Sequence, residues 1–385
     1  MRIVLIGAGA VGSVAAARLV DVREVDELVL ADVVGERSKA LADRLGSRKV
    51  RAATMASGQD LGSLITGADL AVNAAHASLD LPLMEACLDV GASFMDLSSV
   101  PLQQFPYDEK FRKAGIVALL GAGEDPGLGN VLARAAADRL DKVDSIRIRD
   151  GDTITSGPTP LPVAWSPETF LVEVFADALV FQDGRIVEVP PWSGREVYPF
   201  PEPVGPQPVY LMEHEEPVTL PRFIGKGLRY VDLKLAVDDG TFETLQRLKA
   251  LGLLEDTPVP VDGGSVSPRR LIVSLLPRPT DLVGKVTGAA MILVEVSGTK
   301  DGEAVTHRLY VGLRHEDAAR RYGATATAYL VGTGTAIFVT QFARGQIPQR
   351  GVIASECLDP AETLRLMSEA GLPVTHETRT TRELT

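Results

Sequence analysis

Gly7-Ala8-Gly9-Ala10-Val11-Gly12 sets three glycines in a GxGxxG spacing, and Asp32 follows 20 positions after the last of them. The pattern predicts a dinucleotide cradle. Its first glycine permits a tight turn, the second lets backbone approach a pyrophosphate, and the third lets a helix pack on the preceding strand. The phosphates then meet the positive N-terminus of that helix. A carboxylate at Asp32, with Val33 beside it, suits the adenosine ribose hydroxyls and repels a 2′-phosphate, which favours NAD over NADP. Arg37 lies near enough to meet such a phosphate instead. FAD is the less favoured ligand, since the second half of the chain carries no flavin signature.

More chemistry falls where strands are expected to end. Asn73-Ala74-Ala75, which should face the nicotinamide ribose, and Leu97-Ser98 close two such runs and are assigned to cofactor binding. Asp96, Asp125 and His214 are candidate proton-transfer residues, with Glu124 and His76 as alternates. Each has a plainer reading. Asn, Asp and Ser are ordinary turn residues, Asp125 in GEDPG is a good helix cap, and a lone histidine is often a surface residue. The acidic run at 212–216 is either solvated or, if it faces a cleft, attracts a cation.

The elements that must position these residues alternate. Apolar runs at 3–6, 27–32, 50–54, 68–75, 92–98 and 115–121 read as strands, with helices at 11–20, 36–45, 81–90 and 103–114 between them. This rhythm predicts a Rossmann-type, doubly wound parallel sheet over 1–125. From 126 to 320 the pattern becomes α+β, richer in antiparallel strand and in proline. Helices are expected at 128–140 and 166–179, and strands at 143–150, 228–237, 291–298 and 307–313. Asp183-Gly184 and Asp301-Gly302 mark hairpins, and a proline-rich stretch at 190–208 reads as an irregular lid or crossover. The uncharged segment 322–343 is too rich in Ala, Thr and Gly for a membrane span. It reads as a buried helix whose small residues permit close backbone packing.

Composition narrows the class. The chain has 385 residues and a formal charge of -12, which disfavours nucleic acid and anionic membranes as partners. The N-terminal apolar run is too short for a secretory signal. Two cysteines, Cys87 and Cys357, cannot build a disulfide framework, so a cytoplasmic location is expected. The five histidines show no HxxxH spacing, and no metal is expected.

GAGAVG, VNAA, FMDLS, GEDPGLGN and KGLRYVDLKL, in this order, resemble the saccharopine dehydrogenase-like superfamily. PRRLIVSLLPRP, VSGTKDGEAVTHRLYVGL, TATAYLVGTGTAIFV and GLPVTHETRTTRE are closest to its lysine 6-dehydrogenases. The resemblance implies redox chemistry at a carbon–nitrogen bond: first, oxidative deamination of lysine or a related amine with release of ammonia; second, reductive condensation of an amine with an aldehyde, as in saccharopine reductases or carboxynorspermidine dehydrogenases. A non-catalytic NAD-binding protein is the third reading. The resemblance also implies a mixed sheet in the second domain, packing of 321–385 back toward the first domain, and a homodimer or dimer of dimers. It casts Arg229 as the cation for a substrate carboxylate, with Arg222 as runner-up. On a regular strand Tyr230 faces away from Arg229. Two departures stand out. VRAATMASG offers no acid near the adenine before Asp60, and Glu124-Asp125-Pro126-Gly127 follows the saccharopine reductase pattern.

Overall fold

The computed structural model describes residues 1–55, 61–159 and 161–382; Asp60 lies outside them. Seven strands form the first sheet, in the order Gly351–Ala354, Val117–Leu120, Ser93–Asp96, Leu70–Asn73, Arg2–Ile6, Glu27–Asp32, Val50–Thr54. All are parallel. Ile3, Leu5, Leu28 and Leu30 pack on one face, and Val4, Ile6, Val29 and Ala31 on the other. Burial on both faces explains why these strands read as continuous apolar runs rather than alternating ones. Strand order reverses beside Arg2–Ile6, so the crevice opens at Gly7 and Ala74, where Ala74 N donates to Ile6 O at 2.8 Å.

Six of these strands were expected. The seventh, Gly351–Ala354, comes from the C-terminal segment. A four-residue run carries too little periodicity to be read as a strand. Three further readings need correction. The stretch 190–208 is no irregular lid: Glu196–Pro199 and Pro206–Leu211 pair as a hairpin. The helix expected at 103–114 is broken at Phe105–Tyr107 into Pro101–Gln104 and Asp108–Ala114. The helix expected at 166–179, capped by Ser166 as anticipated, stops at Glu173.

The second sheet is mixed. Lys142–Asp150 runs parallel to Tyr230–Ala236 and antiparallel to Thr287–Lys300. The long hairpin Thr287–Lys300 and Glu303–Arg314 turns at Asp301-Gly302, and Ala178–Gln182 pairs with Arg185–Val189 across Asp183-Gly184. Ile146, Ile148, Val231, Leu233, Val294 and Val296 share the core with the helix Leu128–Ala137. Arg149 points to the opposite face, where its buried guanidinium forks onto Asp232 at 2.8 and 3.3 Å. Tyr230 joins that network through Asp232.

The helix Ala326–Ala343 fills the space between the layers. A Cβ on Gly332 would lie 2.6 Å from Val11 O, and one on Gly334 would lie 2.3 Å from Gly123 O. The small residues are therefore a packing requirement. Among the described residues no helix is long and apolar enough to cross a membrane. The chain then closes both sheets: Gly351–Ala354 completes the first, and Thr375–Thr381 pairs with Glu303–Arg314 at the edge of the second.

Candidate active site

The cradle is built as its spacing suggests. Gly7 adopts φ +108°, and a Cβ there would lie 2.5 Å from Ala74 O; one on Gly12 would lie 1.9 Å from Gly7 O. Gly9 is different: a Cβ on it would meet nothing within 4 Å. Its open side faces the start of the helix Ala10–Leu19, where no side chain caps the backbone N–H groups. An anion is the natural cap there, so these residues fit a dinucleotide pyrophosphate. Asp32 is buried, accepting from Ala8 N at 2.9 Å and Val34 N at 2.8 Å, while Val33 beside it is exposed. Asp32 thus ties the glycine turn to the end of the second strand.

The other strand ends are bolted from within. Asn73 donates to His76 O and Asp80 Oδ1 and accepts from Ala75 N. His76 is exposed, and its Nδ1 caps the short turn Ala77–Leu79. Asp96 is fully buried, accepting from Gln104 Nε2 at 2.6 Å and Gly121 N at 2.7 Å. Burial, then Asp80, pushes its carboxyl well above the usual range. Asp80 is pushed up to about 8, chiefly by burial.

Asp125 and His214 come together from distant parts of the chain. The Asp125–Pro126 peptide is cis. Gly127, at φ +145°, closes the turn so tightly that a Cβ would lie 2.2 Å from Gly123 O. The turn holds Asp125 at the carboxyl end of Val117–Leu120. The strand Pro206–Leu211 delivers 213–216 to the same place, and Ser99 N donates to Glu215 Oε1 at 2.7 Å, joining that run to the first sheet. His214 Nδ1 lies 2.7 Å from Glu216 Oε2 and 3.3 Å from Glu215 Oε2. Burial opposes the imidazolium, but Glu216, Glu215 and Asp125 outweigh it and hold His214 well above its ordinary range.

Carboxyls surround this imidazole. Asp150, at the end of Lys142–Asp150, is pushed up to about 7 by burial and then Asp152. Glu173, at the end of Pro167–Glu173, also reaches about 7 through burial. Glu124 and Asp125 are held well above the usual range by burial and by Asp150. Asp125 Oδ2 and Glu216 Oε1 are buried without a hydrogen-bond partner among the described residues. Ligand-type atoms of His214, Glu215 and Glu216 lie within 4.8 Å of one another, so two carboxylates bracket the imidazolium. The cleft thus combines proton-holding acids with unspent acceptors, the surroundings an amine needs.

Arg229 lies elsewhere. It is exposed and forks onto Asp183 at 2.6 and 2.9 Å in the hairpin turn. Arg222 is exposed too, stacked 4.3 Å over Phe105. Asp150, Asp152 and Glu173 were not singled out from the sequence. RDGD at the end of an expected strand was the available signal, whereas nothing local marks Glu173.

A nucleotide cradle, with a buried acid cleft tied to the same sheet through Ser99 and Glu215, marks a dinucleotide-dependent oxidoreductase. The "Saccharopine dehydrogenase NADP binding domain" matches residues 3–119 and the "Saccharopine dehydrogenase C-terminal domain" matches 123–372. The chain belongs to the saccharopine dehydrogenase family. It is 29% identical to a carboxyaminopropylagmatine dehydrogenase of Synechocystis sp. and 31% identical to a carboxynorspermidine synthase of Vibrio alginolyticus; both comparisons cover 97% of this chain and 96% of the relative. Its fold matches apo saccharopine dehydrogenase (L-Glu forming) from Saccharomyces cerevisiae with a TM-score of 0.70 at 16% identity, covering 98% of this chain and 99% of that one. The names of the two sequence relatives match the second reading better than lysine deamination.

Proposed function

We propose that this chain condenses a primary amine with an aldehyde and reduces the resulting C=N bond to a secondary amine. The observation that carries this reading is the acid cleft around His214 at the carboxyl ends of the nucleotide-binding strands. The names of the relatives support it. In the balanced reaction, amine, aldehyde, NAD(P)H and a proton give secondary amine, NAD(P)⁺ and water. The amine nitrogen bonds to the carbonyl carbon, and the C–O bond then breaks as water leaves. Bound in the cradle, the dinucleotide supplies a hydride to that carbon.

The protein handles the protons and the charge. Asp150, near 7, can take a proton from the incoming ammonium and return it to the departing oxygen. Asp125, raised well above the usual range by burial, stands by as a second acid. Glu216 fixes the His214 imidazolium in place, and the unpartnered oxygens of Asp125 and Glu216 attract the amine.

Asp32 favours NADH, although the family's domain is named for NADP. Steady-state assays with both cofactors check this: kcat/KM is expected to be higher with NADH, and Asp32→Ser should narrow the difference. The reaction itself is tested with purified protein, NADH, a diamine and an amino-acid semialdehyde, with mass analysis of the product. A secondary amine one water lighter than the summed reactants and two hydrogens heavier supports the reading. NADH and ammonia formed from lysine with NAD⁺, without condensation, would return it to deamination.

A further inference from the structure

The first turn of the helix Ala326–Ala343 meets the acid cleft from behind, through a histidine that the reaction above does not use. His315 opens the helix His315–Tyr322, and its side chain is fully buried. Its Nδ1 accepts from Ala326 N at 3.1 Å. A ring nitrogen that accepts carries no proton, so the proton of this imidazole sits on Nε2. Nε2 is buried as well and has no hydrogen-bond partner among the described residues. It lies 3.6 Å from Asp152 Oδ1.

Asp152 stands between this donor and the cleft, with its side chain only 4% exposed. Thr327 Oγ1, in the first turn of Ala326–Ala343, donates to Oδ2. Both carboxylate oxygens therefore face donors. On its other side Asp152 N donates to Asp150 Oδ1 at 2.9 Å. Asp150 also meets Glu124 and Asp125 from the cis-proline turn and His214 from the 213–216 run. After burial, Asp152 is the largest influence that raises the Asp150 carboxyl. A histidine that only capped the helix would need Nδ1 alone. The aim of Nε2 at Asp152 points to a further role.

We propose that His315 is a positioning residue of the cleft: as a neutral imidazole it directs Nε2–H at Asp152, and Asp152 in turn orients Asp150 and sets a negative charge beside it. The inference rests on the role given to Asp150 above and adds the residue behind it. At 3.6 Å the ring stops short of a hydrogen bond, a contact of the kind that tightens when substrate fills a site.

Nitrogen NMR of protein labelled at histidine reads the tautomer, with the His315 signal assigned by its loss in His315→Gln. A neutral ring protonated at Nε2 is expected at neutral pH. Difference infrared titration of the resting protein reads the proton on Asp150, with its band assigned by loss in Asp150→Asn; a midpoint near 7 is expected. Asp152→Asn removes the neighbouring charge and should move that midpoint down by about 1–2 pH units. The acid limb of kcat/KM should follow, because Asp150 must be unprotonated to accept from the ammonium. His315→Phe should move both the same way by about 1 pH unit, since Asp152 loses the donor that holds its charge beside Asp150. His315→Gln offers an amide N–H to Asp152 and an oxygen to Ala326 N, so it should restore the wild-type values although it cannot carry a charge. A doubly protonated His315 overturns the proposal. So does a midpoint that stays put in Asp152→Asn and His315→Phe while the melting temperature alone falls, which makes His315 a helix cap. Equal shifts in His315→Gln and His315→Phe overturn it as well. Should His315→Phe fail to fold, Asp152→Asn and His315→Gln carry the test. If no amine condenses, the reaction assigned above fails on its own account, and the tautomer and the titration still decide the inference.

Discussion

His214 is where the charge of the cleft is decided. Glu216 is fully buried and lies 2.7 Å from the imidazole, so it sets both ring orientation and charge. Replacing Glu216 by Gln removes the largest support for the imidazolium, and His214 should release its proton at lower pH. The alkaline limb of the kcat/KM profile is then expected to move down by about 1–3 pH units. Asp125→Asn removes the proton but keeps the size, and should lower kcat about a hundredfold or more while NADH affinity, read by fluorescence titration, stays put. Equal losses in kcat and NADH binding would instead make Asp125 a structural residue of the turn. Asp96 serves as a contrast: both of its oxygens are engaged inside the fold, so Asp96→Asn should show up in thermal stability first.

At the scale of elements, the helix Ala326–Ala343 reaches the cleft without contributing a catalytic group. Gly334 abuts Gly123, which opens the turn that carries Asp125. Gly334→Ala should destabilise the protein by about 1–3 kcal/mol, because the obstacle is backbone and cannot swing aside. Activity measured well below the melting range should fall as well, since the turn is displaced; loss of stability alone would uncouple the two. This helix was legible in the sequence as uncharged and rich in small residues, and the first six strands were legible as apolar runs. Asp125 was visible at the end of a run, and His214 as a histidine beside acids. Their meeting was not, because it depends on how two sheets face each other, which no local pattern encodes. Arg229 was misleading for a related reason: the Asp183-Gly184 turn brings a carboxylate to it from 46 residues away. The strand Gly351–Ala354 escaped because it becomes a strand only beside Val117–Leu120.

For the whole molecule, the buried carboxyls make stability depend on pH in an uncommon direction. Asp80 sits near 8, and Asp150, Glu173 and Glu356 near 7, each raised first by burial. In the unfolded chain such groups titrate near 4. Between these limits the folded protein binds more protons, so this stability is present at low pH and is lost as pH rises through 7 to 8, by up to about 1.4 kcal/mol per pH unit for each group. The melting temperature should therefore be higher at pH 5.5 than at pH 8, and Asp80→Asn should raise it at pH 8 while changing little at pH 5.5. A flat profile would mean that these acids are ionised in the fold. A different consequence follows from the two late strands. Residues 351–354 and 375–381 are the last pieces of two separate sheets, so neither layer can be completed while they are still inside the ribosome. The nascent chain must carry two unfinished sheet edges until these segments emerge, which exposes open strand edges to aggregation and proteolysis during synthesis.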